Sequence, residues 1–148
     1  MKIEVRPIVS EAERQACLQI REVVFIGEQA VPTELERDEY DEKGATHFIA
    51  LVEDMPMGTG RLRVADAGEQ KWAKVQRVAV LSVARGTGLG KALMSAMEQH
   101  VAENALAQGI TLGAQLSAKR FYTKLGYAPH GEEFDDAGIR HIEMRKEV

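Results

Sequence analysis

The sequence contains one cysteine, Cys17, which excludes an intrachain disulfide and any cysteine cage for zinc. Set beside Leu18 and Ile20 in a helical pattern, that lone thiol reads as a small buried hydrophobe without an activating partner. Long apolar runs are also missing. Stretches such as Val78-Ala79-Val80-Leu81 fall far short of the roughly 20 residues that cross a bilayer, so no membrane partner is expected. The opening Met-Lys-Ile-Glu-Val-Arg-Pro starts a strand pattern and has no apolar signal core, which makes a cytoplasmic protein the simplest expectation. Positive charge is in deficit. A net charge of −4 leaves no broad basic face for phosphate neutralisation, so no nucleic acid is expected as partner.

What is present suffices for one core. A chain of 148 residues with 45% hydrophobic content fits a single domain over residues 1–148. Ile3 and Val5 alternate with polar residues up to Pro7, as a first strand. Ser10 with Glu13 forms a capping box, and Ala16, Cys17, Ile20, Val23 and Val24 give helical spacing over residues 11–25. Gly27 and Pro32 break that pattern. Residues 47–52 and 60–64 read as a hairpin around a turn at 54–58, and 72–81 as a further strand. Leu93, Met97, Val101 and Ala105 recur at steps of four, predicting an amphipathic helix from Leu89 to about residue 107 that Gly109 stops. A strand at 110–115, a helix from Ser117 to Leu125, and strands at 127–130 and 140–144 complete the chain. Such alternation predicts a mixed sheet covered by helices.

Charge is unevenly placed. Glu34, Glu36, Asp38, Glu39, Asp41 and Glu42 form one acidic stretch, and Glu132, Glu133, Asp135 and Asp136 form another. Either alone reads as a solvated loop.

The segment from Val78 to Leu93 carries the most chemistry. A buried strand enters a loop with Gly86, Gly88 and Gly90, inside which the long helix begins. First-turn N–H groups lack internal partners, and the helix dipole makes that end positive, so a phosphate is well satisfied there. Arg85 adds a forked cation and Lys91 a further charge. The Walker spacing fails, because Gly86 lies four residues before Gly90 and Ala92 replaces the metal-binding hydroxyl. The dinucleotide fingerprint fails on spacing and on its late position in the chain.

Arg85, Gly88 and Gly90 match the Gln/Arg-x-x-Gly-x-Gly/Ala loop of the GCN5-related N-acetyltransferases (GNAT), which this chain resembles. Gln115, Ala118, Phe121, Tyr122, Gly126 and Tyr127 follow the family's second signature in order, with Gln where Asn is usual. The resemblance covers the whole chain. Phe25 to Pro32, Asp38 to Asp41 and Gly58 to Arg63 look like the small bacterial ElaA/YjcF-type branch.

This resemblance implies an α/β fold with a mixed, mostly antiparallel central sheet of about seven strands flanked by about four helices. It implies acetyl transfer from acetyl-CoA to a primary amine, without metal, by direct attack in a ternary complex. Val78, Val80, Arg85, Gly86, Thr87, Gly88, Leu89, Gly90, Lys91, Gln115, Phe121 and Tyr122 would bind the cofactor. The N–H near Val80 would polarise the thioester carbonyl, and Tyr122 would serve as general acid. Histone-type relatives place a Glu on the strand before the phosphate loop, where Trp72 to Arg77 offers no acid. Glu28 and His141 are therefore the candidate bases, with Asp41 and His47 beside them. Glu28, Gln29, Asp41, His47 and Arg61 are the expected acceptor-binding residues. Residues 27–45 and 131–138 would flank the acceptor groove, and their acids would steer a small cationic amine. Dimers are common in this fold, so a homodimer is compatible with the resemblance.

Two other classes share part of this pattern. A non-catalytic acyl-CoA sensor could use the same loop, though it would not need Tyr122. An acyl-homoserine-lactone synthase is echoed by Arg21 to Phe25 and Glu36 to Asp41, but the chain is short for that family and the loop fits acetyltransferases better.

Overall fold

The computed structural model describes residues 1–64 and 72–148. In chain order the elements are β1 (Ile3–Pro7), α1 (Glu11–Arg21), α2 (Thr33–Glu36), β2 (Thr46–Val52), β3 (Met55–Arg63), β4 (Trp72–Val80), α3 (Leu89–Glu103), β5 (Gly109–Gln115), α4 (Lys119–Lys124), β6 (Ala128–Pro129), β7 (Phe134–Asp136) and β8 (Ile139–Glu147). Among the described residues the strands form one sheet in the order β1-β2-β3-β4-β5-β8-β6, with β7 also on β8. Only β4 and β5 run parallel there; the other pairs are antiparallel.

Helices cover both faces, and strand alternation divides the core between them. Phe48 and Ala50 pack in the larger cluster with Leu89, Leu93, Met94, Met97 and Val101 of α3. Their neighbours Ile49 and Leu51 pack with Cys17 of α1 in a second cluster. The thiol of Cys17 is fully buried and pushed up in pKa by that burial, which fits the inert role expected of it.

Several boundaries differ from the sequence expectation. The first helix does not fade at residue 25. It widens into a π-helical turn, Glu22–Glu28, closed by the Gln29 N–H donating to the Val24 carbonyl at 3.1 Å. β3 begins at Met55 rather than 60, because Glu53 and Asp54 both take left-handed φ (48° and 66°) and close a two-residue hairpin turn. α3 ends at Glu103, where Ala105 takes φ 49° and the Leu106 N–H reaches back to the Val101 carbonyl. Gly109 starts β5 instead of stopping the helix. Ser117 lies within a 3-10 turn, and Ala118 heads α4 without a side-chain cap. Residues 134–136, expected as loop, pair with β8 and add an eighth strand.

Candidate active site

The site is made by a sheet that comes apart. β4 and β5 are paired from Trp72↔Gly109 to Val75↔Leu112, and no further. Beyond that point β4 stays with β3 up to Val80↔Gly58, while β5 stays with β8 up to Gln115↔His141. A β-bulge accompanies the divergence. Thr59 faces Ala79 and Arg61 faces Gln76, so Arg77 and Val78 both stand opposite Gly60, with Arg77 at φ 56°. An extra residue on one strand bends it and strengthens its twist.

Register then fixes where the end of β4 points its backbone. The Leu81 N–H donates to the Met57 carbonyl at 2.8 Å, which makes 57↔81 a hydrogen-bonded pair. Antiparallel pairs alternate, so Val80↔Gly58 is a pair without mutual bonds, and both polar groups of Val80 face away from β3. They look into the gap. Arg85 Nε donates to the Val80 carbonyl at 3.0 Å, and among the described residues the Val80 N–H has no strand opposite it.

The glycine loop lies just beyond. Gly86 and Gly88 have φ of 79° and 88°, a region that side-chain-bearing residues rarely adopt. A Cβ at either would meet nothing within 4 Å, so the loop is open on that side. Gly88 is the N-cap of α3 and supplies no side-chain cap, leaving the first-turn N–H groups to an external acceptor. Lys91 is exposed on that turn, Leu89 is buried beneath it, and the Thr87 hydroxyl is bonded to the Ala84 carbonyl. This is the arrangement an anion needs.

α4 brings two neighbouring aromatics to different places. The Phe121 ring rests beside Gly90, within 3.2 Å of where a Cβ would stand, and is partly exposed. Tyr122 turns inward, 8% exposed, in edge contact with Tyr127 at 5.8 Å. Burial pushes its phenol up to about 12. Among the described residues its hydroxyl has no hydrogen-bond partner, yet Tyr122 lines the groove that the parted strands open.

That groove has a volume of about 390 Å³ and is lined by Glu28, Gln29, Val78, Val80, Arg85, Gln115, Tyr122 and His141, among others. The π-helical turn delivers Glu28 and Gln29 to it. Gln29 and Gln115 bond to each other at 2.8 Å, and Arg85 Nη2 donates to Glu28 at 2.7 Å. His141 is held by its Nδ1, 2.7 Å from the Ile139 carbonyl, and by stacking on Phe134 at 5.7 Å. A carbonyl only accepts, so Nδ1 carries the proton and Nε2 keeps the lone pair in the neutral ring.

Three expected acceptor-binding residues lie elsewhere. Asp41, His47 and Arg61 do not line the groove; they are buried in and beside an ion network under the acidic loop. Arg21 holds Glu36 at 2.9 Å and Asp41 at 2.6 Å, while Arg61 holds Asp38 at 2.7 Å and Asp41 at 3.0 Å. Arg77 adds Glu36 and Asp38 at 3.2 and 3.3 Å. The stretch Glu34 to Glu42 is thus no free acidic field: its three central carboxylates are neutralised by arginines from α1, β3 and β4. The second acidic stretch is partly matched too, by Arg140 with Glu133 and Asp135. Arg85, expected on phosphate, is likewise engaged with Glu28 and Val80. Sequence spacing missed Arg77 and Ile139 as groove residues, while Leu35 and Asp136 lie in the two loops, 27–45 and 131–138, expected to flank the groove. Among the described residues no cluster of three His, Cys, Asp or Glu side chains is arranged to hold a metal, and no helix is long and apolar enough to cross a membrane.

Parallel strands that part beside an uncapped, glycine-led helix, with a buried tyrosine facing the gap, define an acyltransferase. The chain belongs to the GNAT acetyltransferase family: residues 9–148 match the family described as Acetyltransferase (GNAT) domain. It is 37% identical over 139 residues to the N-acetyltransferase YjcF of Bacillus subtilis (strain 168), covering 93% of this chain and 95% of that one. It is 30% identical to protein ElaA of Escherichia coli (strain K12) over 95% of this chain and 91% of that one. The crystal structure of Escherichia coli ElaA superposes with a TM-score of 0.86 at 27% identity, covering 99% and 100% of the two chains. An aminoglycoside 6'-N-acetyltransferase in complex with coenzyme A shares the fold, with a TM-score of 0.74 at 16% identity over 99% and 97%.

Proposed function

We propose that this chain transfers an acetyl group from acetyl-CoA to a small primary amine that arrives as its ammonium form. The observation that carries the reading is the Val80 N–H, turned from β3 into the gap between β4 and β5 with no strand opposite it among the described residues, next to the uncapped start of α3. The residues present fit acetyl-CoA: the open glycine turn would hold the pyrophosphate, and the parted strands would take the pantetheine arm. Bound there, acetyl-CoA supplies an activated thioester carbonyl. Val80 N–H donates to that carbonyl oxygen, where negative charge builds as the amine attacks. His141 Nε2 accepts the proton that the ammonium must lose. The nitrogen–carbon bond forms as the carbon–sulfur bond breaks, and Tyr122 donates its proton or a hydrogen bond to the departing sulfur. The second proton that the nitrogen loses restores the phenol or goes to the thiolate, so that the products are the amide and the free thiol. A phenol raised to about 12 stays protonated at working pH and so remains a donor.

Calorimetric titration of acetyl-CoA into wild type and Gly88→Asp tests the reading. Wild type should bind, and the variant should lose at least about tenfold, because the change strains a left-handed position and adds a carboxylate where phosphate belongs. Amines are then screened by thiol release. No binding by wild type would overturn the acetyl-CoA reading.

A further inference from the structure

The Glu28–Arg85 pair joins two segments that lie 57 positions apart, one ending the π-helical turn and the other opening the glycine loop. It is accompanied by the Gln29–Gln115 pair, so adjacent residues of the turn reach both parted strands: one to the end of β4, one to the end of β5. The two pairs differ in kind. The amides are neutral and exchange bonds in both directions, at 2.8 and 3.5 Å. The ion pair is charged and substantially exposed, 47% on Arg85 and 36% on Glu28. Exposed pairs of this sort are weak, and a stronger anion displaces them.

Arg85 directly precedes Gly86, so its guanidinium is tethered at the edge of the anion-binding turn, while its present partners are the Val80 carbonyl at Nε and a single carboxylate, Glu28, at Nη2. On the acetyl-CoA reading, a diphosphate at that turn competes with Glu28 for the same cation. We propose that the Glu28–Arg85 pair is a latch on the acceptor site: phosphate draws Arg85 away, and the released Glu28 carboxylate then seats the ammonium of the acceptor. Glu28 is thereby an acceptor-positioning residue whose charge is presented only when the acyl donor is in place. Coupling of this kind is reciprocal. If the donor must break the pair to gain Arg85, removing Glu28 must tighten donor binding by the same factor.

A fixed brace makes the opposite forecast. Were the pair permanent, with Arg85 never reaching phosphate, loss of Glu28 would leave donor affinity unchanged or weaken it. Coenzyme A, reduced, is titrated calorimetrically into wild type, Glu28→Gln and Glu34→Gln, the last an exposed acid outside the pair. The latch predicts about two- to fivefold tighter binding by Glu28→Gln, no change in Glu34→Gln, and a gain that shrinks at about 0.5 M salt. Thermal unfolding by circular dichroism checks that Glu28→Gln is folded, as an exposed substitution should be. Equal tightening in both variants would mean a general charge effect and would overturn the latch. So would wild-type binding with no tightening in Glu28→Gln. Failure of wild type to bind coenzyme A at all would instead remove the acetyl-CoA reading, and the latch with it.

Discussion

Two groups of charged residues lie within reach of the same π-helical turn, and they are built on opposite terms. Beneath the acidic loop, Arg21 and Arg61 are 1% exposed, and each carboxylate they meet is held at 3.1 Å or less by at least one nitrogen. At the groove, Arg85 and Glu28 are half open to solvent, and the Tyr122 hydroxyl has no partner among the described residues. Paired charges in a dry site hold a shape, since a buried charge is tolerated only with its partners, and among the described residues the Arg61 Nε alone of the buried side-chain polar atoms is left without one. Unfinished bonding beside a groove leaves capacity for a ligand. The acids of the loop and the acid of the groove look alike in sequence, and only their partners separate structure from function.

The largest expected effect breaks the first group. Arg21→Ala removes the cation that Glu36 and Asp41 share while both stay buried, and should cost about 3–5 kcal/mol of unfolding free energy in urea titration. Arg85→Ala, in the open group, should cost no more than about 1 kcal/mol. Equal losses would show that the two groups are not different in kind.

The second effect runs the other way. Tyr122→Phe deletes a hydroxyl that has no hydrogen-bond partner among the described residues and lines the groove, so stability should stay within about 0.5 kcal/mol of wild type. The kcat for amine acetylation should nevertheless fall roughly a hundredfold, the lower range for loss of a general acid. A variant that unfolds earlier and keeps its turnover would make Tyr122 a core residue.

The fold was legible because its signals are local. The steps of four from Leu93 to Val101, the alternation in β1 and the three glycines after a buried strand each follow from a short window, and each element formed. The glycine turn at the head of α3 and the place of Tyr122 on α4 could be read for the same reason, as ordered motifs. Illegible were the features that depend on residues far apart. The π-helical turn at Glu22–Glu28 has the residues of an ordinary helix, and its widening delivers Glu28 to Arg85 in the loop after β4 and Gln29 to Gln115 on β5. Asp41 and Arg61 sit 20 positions apart with no pattern linking them, so their mutual bond at 3.0 Å, and their absence from the groove, could not be foreseen. Arg77 gave no signal at all, since its place depends on a bulge opposite Gly60.

The smallest expected effect sharpens the comparison by asking whether the dry group is balanced. His47 pairs with Arg61 across β2 and β3 and is 6% exposed. Burial is the main cause that lowers its pKa; Asp41 opposes the shift, and Arg21, Arg61 and Arg14 add to it. A histidine whose folded pKa lies below its unfolded value near 6.5 is protonated more readily in the unfolded chain. Stability is then fully present above about pH 6.5 and declines as pH falls toward the folded pKa, by at most about 1.4 kcal/mol per unit. Asp38 and Asp41 have lowered pKa values, so their contributions hold above the unfolded value near 3.9 and are lost only at lower pH. The two windows separate. Urea unfolding at several pH values from 5 to 7 should show wild-type stability falling on acidification, and His47→Asn should remove part of that slope. An unchanged slope would mean that burial does not hold the His47 pKa below its unfolded value.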